Sequence, residues 1–185
     1  MPETPIPTRC DVAVIGAGGI GFDVGEFLLH DPAVPRPVPV QHWCAEWGVD
    51  LNATANGGLV EPAVAQPYRK LYLLQRKASK LGAGLGKTSG WVHRAVLQRN
   101  GVEMLAGVEY RKVDDAGLHI TFGGLERVLE VDHVVLCAGQ EPLAELMPPA
   151  EQKQVDGAPR FHCIGGAALA SELDAKRAIR EGAEL

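Results

Sequence analysis

The sequence predicts an α/β fold in which a parallel sheet is flanked by helices and carries a small antiparallel meander. Three observations predict it: short apolar runs that alternate with helix-spaced segments, a glycine-rich turn at the first strand–helix junction, and a tract of alternating residues broken by turn signals. With 185 residues, 46% of them hydrophobic, the chain can bury one sizeable core. A formal net charge of -5 argues against a nucleic-acid or anionic-membrane partner, so any positive site must be local.

The elements follow in order. Val12-Ala13-Val14-Ile15 is a β-branched run ending at Gly16, and residues 20–29 have the apolar spacing of a helix. His30-Asp31-Pro32 stops that helix, because proline cannot continue it and disfavours helical geometry in the residue before it. Residues 31–69 read as an insertion, with one amphipathic turn around Trp43, Ala45 and Trp47. Leu71-Tyr72-Leu73-Leu74 resumes a buried strand, and residues 91–99 form a second helix closed by Asn100-Gly101. Residues 102–105 are a third strand. Segments 108–113, 118–122 and 125–131, broken at Asp115-Ala116-Gly117 and Gly123-Gly124, form the meander. Val134-Val135-Leu136-Cys137 has the pattern of a central parallel strand. After a proline-containing crossing, Phe161-His162-Cys163-Ile164 reads as a strand, Gly165-Gly166 as a turn and residues 167–180 as a helix. This tail looks like the returning end of a second domain.

Gly16-Ala17-Gly18-Gly19-Ile20-Gly21 fits G-x-G-x-x-G directly after a buried strand and opening a helix, the context of a Rossmann-like dinucleotide fold. Gly16 permits the tight turn, Gly18 lets a pyrophosphate approach the backbone, and Gly21 lets helix and strand pack closely. The acidic residue that would hold an NAD ribose belongs at the end of the second strand. There the chain has Gln75 followed by Arg76 and Lys77, with Lys80 close behind. A 2′-phosphate needs positive charge and forked hydrogen bonds, so these residues predict NADPH rather than NADH. The alternative is a solvated surface cluster.

Gly82-Ala83-Gly84-Leu85-Gly86-Lys87-Thr88 raises a rival, a P-loop nucleotide triphosphatase. The match fails at Leu81, where glycine is required, and the segment does not follow its strand at once. The preferred reading is a mobile loop before the second helix, with Thr88 or Ser89 as N-cap and Lys87 near the cofactor phosphates.

Taken together, residues 14–23, Leu74-Gln75-Arg76-Lys77, Gly86-Lys87-Thr88-Ser89-Gly90-Trp91, residues 137–142, Ile164-Gly165-Gly166 and residues 172–179 resemble the bacterial NADPH-dependent 2,4-dienoyl-CoA reductases, which are related to trimethylamine dehydrogenase and old yellow enzyme. The resemblance spans nearly the whole chain. It implies a FAD/NAD(P)-binding, disulfide-oxidoreductase-like fold, with residues 9–142 as an NADPH-binding domain. Residues 143–185 would be a linker and the returning strand–helix of an incomplete FAD domain. The parent enzyme would pass hydride from NADPH to FAD and on through a 4Fe–4S cluster to FMN, reducing a 2,4-dienoyl-CoA to an enoyl-CoA. Its FMN barrel and FAD half-domain would be the partners of this chain, which alone should bind NADPH, hold no FAD stably and catalyse nothing. Another old yellow enzyme-type flavoprotein and a non-catalytic nucleotide-binding scaffold are the alternatives.

The resemblance also assigns residues. Gly16, Gly18, Gly19 and Gly21 correspond to the dinucleotide loop and Arg76 and Lys77 to the 2′-phosphate grip. Gly139 and Gln140 correspond to the strand end near the nicotinamide, and Gly165 and Gly166 to a final FAD-contacting turn. Family members usually have an acid just after that turn, where this chain has Ala168, which puts FAD contact by the tail in doubt. No catalytic residue is assigned.

Cys10, Cys44, Cys137 and Cys163 are scattered and read as reduced structural thiols, and the six histidines lack ligand spacing, so no metal site is expected. His93 is a weak candidate for the cofactor side of its loop. Trp43 and Trp47 are expected to cover the sheet edge or meet the missing barrel, and their exposure in a fragment would favour self-association. With no signal-like start and no apolar run near 20 residues, the expected location is cytoplasmic.

Overall fold

The computed structural model describes residues 10–34, 37–63, 67–149, 157, 159–171 and 174–185. In chain order the main elements are β1 (Val12–Ile15), α1 (Gly19–Leu29), α2 (Val40–Trp47), β2 (Leu71–Gln75), α3 (Gly90–Arg99), β3 (Glu103–Ala106), β4 (Glu109–Asp114), β5 (Gly117–Phe122), β6 (Leu125–Leu129), β7 (His133–Leu136) and α4 (Ala175–Ala183). The chain divides into two units, Met1–Ala138 and Gly139–Leu185.

In the first unit a parallel sheet runs in the order β3-β2-β1-β7, and β4-β5-β6 form an antiparallel meander. This is the predicted fold class. The two-residue period of a strand sorts the central side chains onto opposite faces. Val12 and Val14 of β1 and Leu71 and Leu73 of β2 pack with Phe22 and Leu28 of α1 and Leu97 of α3. Ala13, Ile15, Tyr72 and Leu74 face the other way, onto Val108, Leu118, Ile120 and Leu129 of the meander. Helices therefore cover one face and the meander the other. Phe22 and Leu97 are 0% exposed, and each contributes about 1.5–3 kcal/mol by burial.

One expectation is corrected here. The apolar run at residues 134–137 reads as a central strand, yet β7 pairs only with β1 among the described residues and forms the sheet edge, with Leu136 75% exposed. Apolar character cannot distinguish an edge strand from one that a further segment would cover.

The insertion has its own architecture. α2 stacks Trp43 on Trp47 at 6.1 Å, Trp47 meets Trp91 of α3 edge-on at 6.5 Å, and the Arg99 guanidinium lies 4.4 Å from the Trp47 ring. Trp47 thus attaches the insertion to α3 and does not cover the sheet edge, the first of the two expected placements, while Trp43 stays 47% exposed. Beyond α2, the chain closes a hairpin through Asp50 N–H to the Gly58 carbonyl (2.8 Å) and Val60 N–H to the Gly48 carbonyl (2.9 Å).

The Asp50 carboxylate organises the tip of this hairpin. It accepts from the amides of Asn52 (2.9 Å), Thr54 (2.6 Å) and Ala55 (3.2 Å) and from the Thr54 hydroxyl (2.5 Å). The Thr54 hydroxyl and these amides stabilise the ionised form and lower its pKa to about 2 from 3.8. A depressed carboxyl pKa adds stability above the unfolded value and loses it as pH falls through the folded value. Hydrogen exchange at the Thr54 and Ala55 amides should therefore be pH-insensitive in its protection above about pH 4 and lose protection toward pH 2. In Asp50→Asn that acid step should be absent.

The second unit departs from its predicted form. Residues 161–164 carry no strand ladder, because no described segment pairs with them, and an unpaired strand lacks partners for its amides and carbonyls. Gly165–Ala167 is a single 3-10 turn, and the helix begins only at Ala175 instead of at 167. Asp174 sets that start by accepting the Arg177 amide at 2.7 Å, an N-cap bond.

Candidate functional site

The glycine turn lies at the carboxyl end of β1. Parallel pairing matches Ile15 with Leu74, and the Gly16 amide donates to the Leu74 carbonyl at 2.8 Å, so the turn sits beside the end of β2. Gly16 has φ +114°, and a Cβ there would lie 2.4 Å from the Cys137 carbonyl oxygen. A Cβ on Gly21 would lie 1.7 Å from the Gly16 carbonyl oxygen. These two glycines are sterically required. Gly18 and Gly19 differ, since a Cβ on either would meet nothing within 4 Å. The space above them is open to a ligand.

Gly18 is the N-cap of α1 and supplies no side chain to the first turn, which also contains no acid. The first amides of a helix have no intrahelical acceptor and carry partial positive charge. An anion against Gly18 would satisfy them without displacing a protein group.

At the end of β2 the Gln75 side-chain amide donates to the carbonyls of Lys77 (2.9 Å) and Ser79 (2.5 Å) and shapes the turn that follows. The Gly107 and Val108 amides donate to the Lys77 and Gln75 carbonyls, both at 3.0 Å, tying that turn to the start of the meander. Arg76, Lys77 and Lys80 are exposed, and none is ion-paired among the described residues. The register places Arg76 one strand over from the glycine turn, at the same carboxyl edge of the sheet.

The second glycine cluster packs against the first. The Gly82 amide donates to the Ala17 carbonyl at 3.3 Å, and Arg94 of α3 donates to the Gly82 carbonyl at 3.1 Å. Within it the Ala83 amide donates to the Lys80 carbonyl at 3.2 Å and the Leu85 amide to the Gly82 carbonyl at 3.1 Å, and the Gly90 amide that opens α3 donates to the Gly86 carbonyl at 2.7 Å. The P-loop pattern requires glycine where the chain has Leu81, whose side chain is buried. Lys87 is exposed beside Gly86. Ser89 occupies the N-cap position of α3 but makes no side-chain cap bond.

Other candidates fall elsewhere. His93 Nδ1 lies 2.7 Å from Glu26 Oε1, joining α3 to α1. Gly139 and Gln140 open the second unit, exposed, with Gly139 at φ +92°. In that unit the Gly165 amide donates to Glu181 of α4 at 2.5 Å, so a carboxylate of the chain itself occupies one amide of the Gly165-Gly166 turn. The four cysteines are free thiols, and burial pushes the Cys137 thiol up from its ordinary pKa. Among the described residues no helix is long and apolar enough to cross a membrane.

Sequence reading missed Tyr110. Its hydroxyl is buried without a hydrogen-bond partner among the described residues, and the Arg76 charge reaches it. No motif marks it; the only available signal was its inward position in an alternating strand.

No protein-family model matches the chain. Among solved structures, it is similar to a 2-naphthoyl-CoA reductase in complex with 2-naphthoyl-CoA, with TM-score 0.58 and 17% identity over 96% of this chain and 21% of that one. The chain thus spans about a fifth of that reductase. Bacillithiol disulfide reductase from Staphylococcus aureus gives TM-score 0.47 and 12% identity over 72% of this chain and 30% of that one. An engineered water-forming NADPH oxidase bound to NADPH gives 0.41 and 18% over 75% and 23%. The likeness to the naphthoyl-CoA reductase is one of fold.

Proposed function

We propose that the chain is the NADPH-binding part of a flavin-dependent oxidoreductase, and that its parent reduces 2,4-dienoyl-CoA to enoyl-CoA. The observation that carries the reading is the juxtaposition of an open glycine turn at the start of α1 with the exposed cations Arg76 and Lys77 at the end of the neighbouring strand. Gly18, Gly19 and the first turn of α1 would hold the pyrophosphate, Arg76 and Lys77 the 2′-phosphate, and Lys87 would add charge nearby. NADPH bound there supplies a hydride for a flavin. Gly139 and Gln140 on the nicotinamide side and Gly165 and Gly166 toward FAD rest on the sequence resemblance.

The parent enzyme in this reading carries FAD, FMN and a 4Fe–4S cluster on other domains. The alignment of nearly all of this chain with part of a CoA-thioester reductase supports that class of substrate. The second unit exposes Leu143, Leu146, Leu169 and Ile179, with Leu146 at 99%, as expected of a piece completed by a partner FAD half-domain.

Thermal denaturation with NADPH, NADH and ATP–magnesium tests the reading. Ligand at about 100 times its Kd stabilises the folded state by roughly 2.7 kcal/mol. NADPH should raise the Tm at concentrations where NADH and ATP do not. A shift with ATP–magnesium alone would favour the triphosphatase, and no shift with any nucleotide a scaffold.

A further inference from the structure

Tyr110 is the second residue of β4 and pairs with the buried Ile120, so its side chain faces the parallel sheet and packs on the cluster of Ala13, Ile15 and Leu74. Its hydroxyl is buried without a hydrogen-bond partner among the described residues. Native proteins seldom leave such a group unsatisfied, because burial strips it of water and returns nothing. Phenylalanine would fill the same volume without that cost. The hydroxyl's surroundings suggest why it is kept: Arg76 is the charge that reaches it, and the Val108 amide ties the start of this strand to the Gln75 carbonyl, next to Arg76.

Arg76 has five N–H donors in a fixed fork, of which a phosphate engages two in a bidentate contact. An exposed guanidinium with no other anchor loses rotamer freedom when it binds. We propose that Tyr110 is a positioning residue for the 2′-phosphate site, its hydroxyl oxygen accepting an N–H of Arg76 that the phosphate does not use and holding the fork on the ligand. The inference rests on the NADPH reading above and adds the element that makes Arg76 selective.

Tyr110→Phe, measured by calorimetry with NADPH and NADH and by thermal denaturation without ligand, separates this role from a structural one. The unliganded variant should melt at or above the wild-type Tm, since an orphaned hydroxyl is removed. Its Kd for NADPH should rise about tenfold, the scale of one hydrogen bond to a charged group, and its Kd for NADH should not change. In the Arg76→Ala background the same substitution should have no further effect, because the two act as one unit. Wild-type affinity for NADPH in Tyr110→Phe, equal weakening of both cofactors, or additivity with Arg76→Ala would overturn the inference while leaving the NADPH reading intact. A wild-type chain without preference for NADPH would overturn both.

Discussion

Replacing Arg76 and Lys77 together by alanine is expected to weaken NADPH binding about a hundredfold while leaving NADH binding within about twofold. A hydrogen bond to a charged group contributes roughly 1.5–3 kcal/mol, and the lower end applies because both side chains are exposed and screened by solvent. Two such contacts give about two factors of ten. Arg76→Lys should recover only part of the loss, since an ammonium cannot form the bidentate contact. Neither change should move the Tm of the unliganded chain appreciably, because neither side chain is buried or ion-paired among the described residues. Calorimetric titration with both cofactors checks the result. Equal losses for NADPH and NADH would mean that these cations act by general attraction and not at the 2′-phosphate.

Gly21→Ala and Gly18→Ala should have opposite consequences although they lie three residues apart. At Gly21 the new methyl would stand 1.7 Å from the Gly16 carbonyl, a backbone atom that cannot rotate away. Relief requires moving α1 from β1 and disturbing the packing of Phe22 on Val14 and Leu73. The expected cost is about 3 kcal/mol, the upper range for overpacking, or roughly 10 °C in Tm for a chain of this size. At Gly18 a methyl meets nothing within 4 Å, so the unliganded Tm should hold. That methyl would occupy the space a pyrophosphate needs, and affinity for both cofactors should fall tenfold or more. Melting curves and titrations on the two variants test whether Gly21 shapes the fold while Gly18 admits the ligand.

These two glycines also show what was legible in the sequence and why. The steric need for glycine at positions 16 and 21 could be read from one short motif because it depends on local geometry, on a tight turn and on one strand meeting one helix. The meander was legible for the same reason: its alternation of Leu118, Ile120 and Leu129 with exposed residues matches the pleat, and its turns carry their own residue types. Features that depend on distant neighbours were not legible. The apolar run of β7 reads as central because hydrophobicity records that a face is covered and not how many strands flank it.

The tail failed for a related reason. A strand needs a ladder partner, and Phe161-His162-Cys163-Ile164 has the composition of a strand without one. The start of α4 was set by Asp174, whose capping bond to Arg177 competes with a longer helix that composition alone would allow. Tyr110 was invisible because its meaning comes from a missing hydrogen bond, which only coordinates reveal.

The central claim is that Arg76 and Lys77 grip the extra phosphate of an adenosine cofactor bound over Gly18. Phosphorus NMR of NADP⁺ reports on that group directly, since the 2′-phosphate titrates with a second pKa of about 6 and a neighbouring guanidinium favours its dianion. Bound to the wild-type chain, the 2′-phosphate resonance should titrate at least one pH unit lower than in free NADP⁺, and in Arg76→Ala/Lys77→Ala at saturating cofactor it should return toward the free value. A bound 2′-phosphate that titrates as it does in solution would contradict the account.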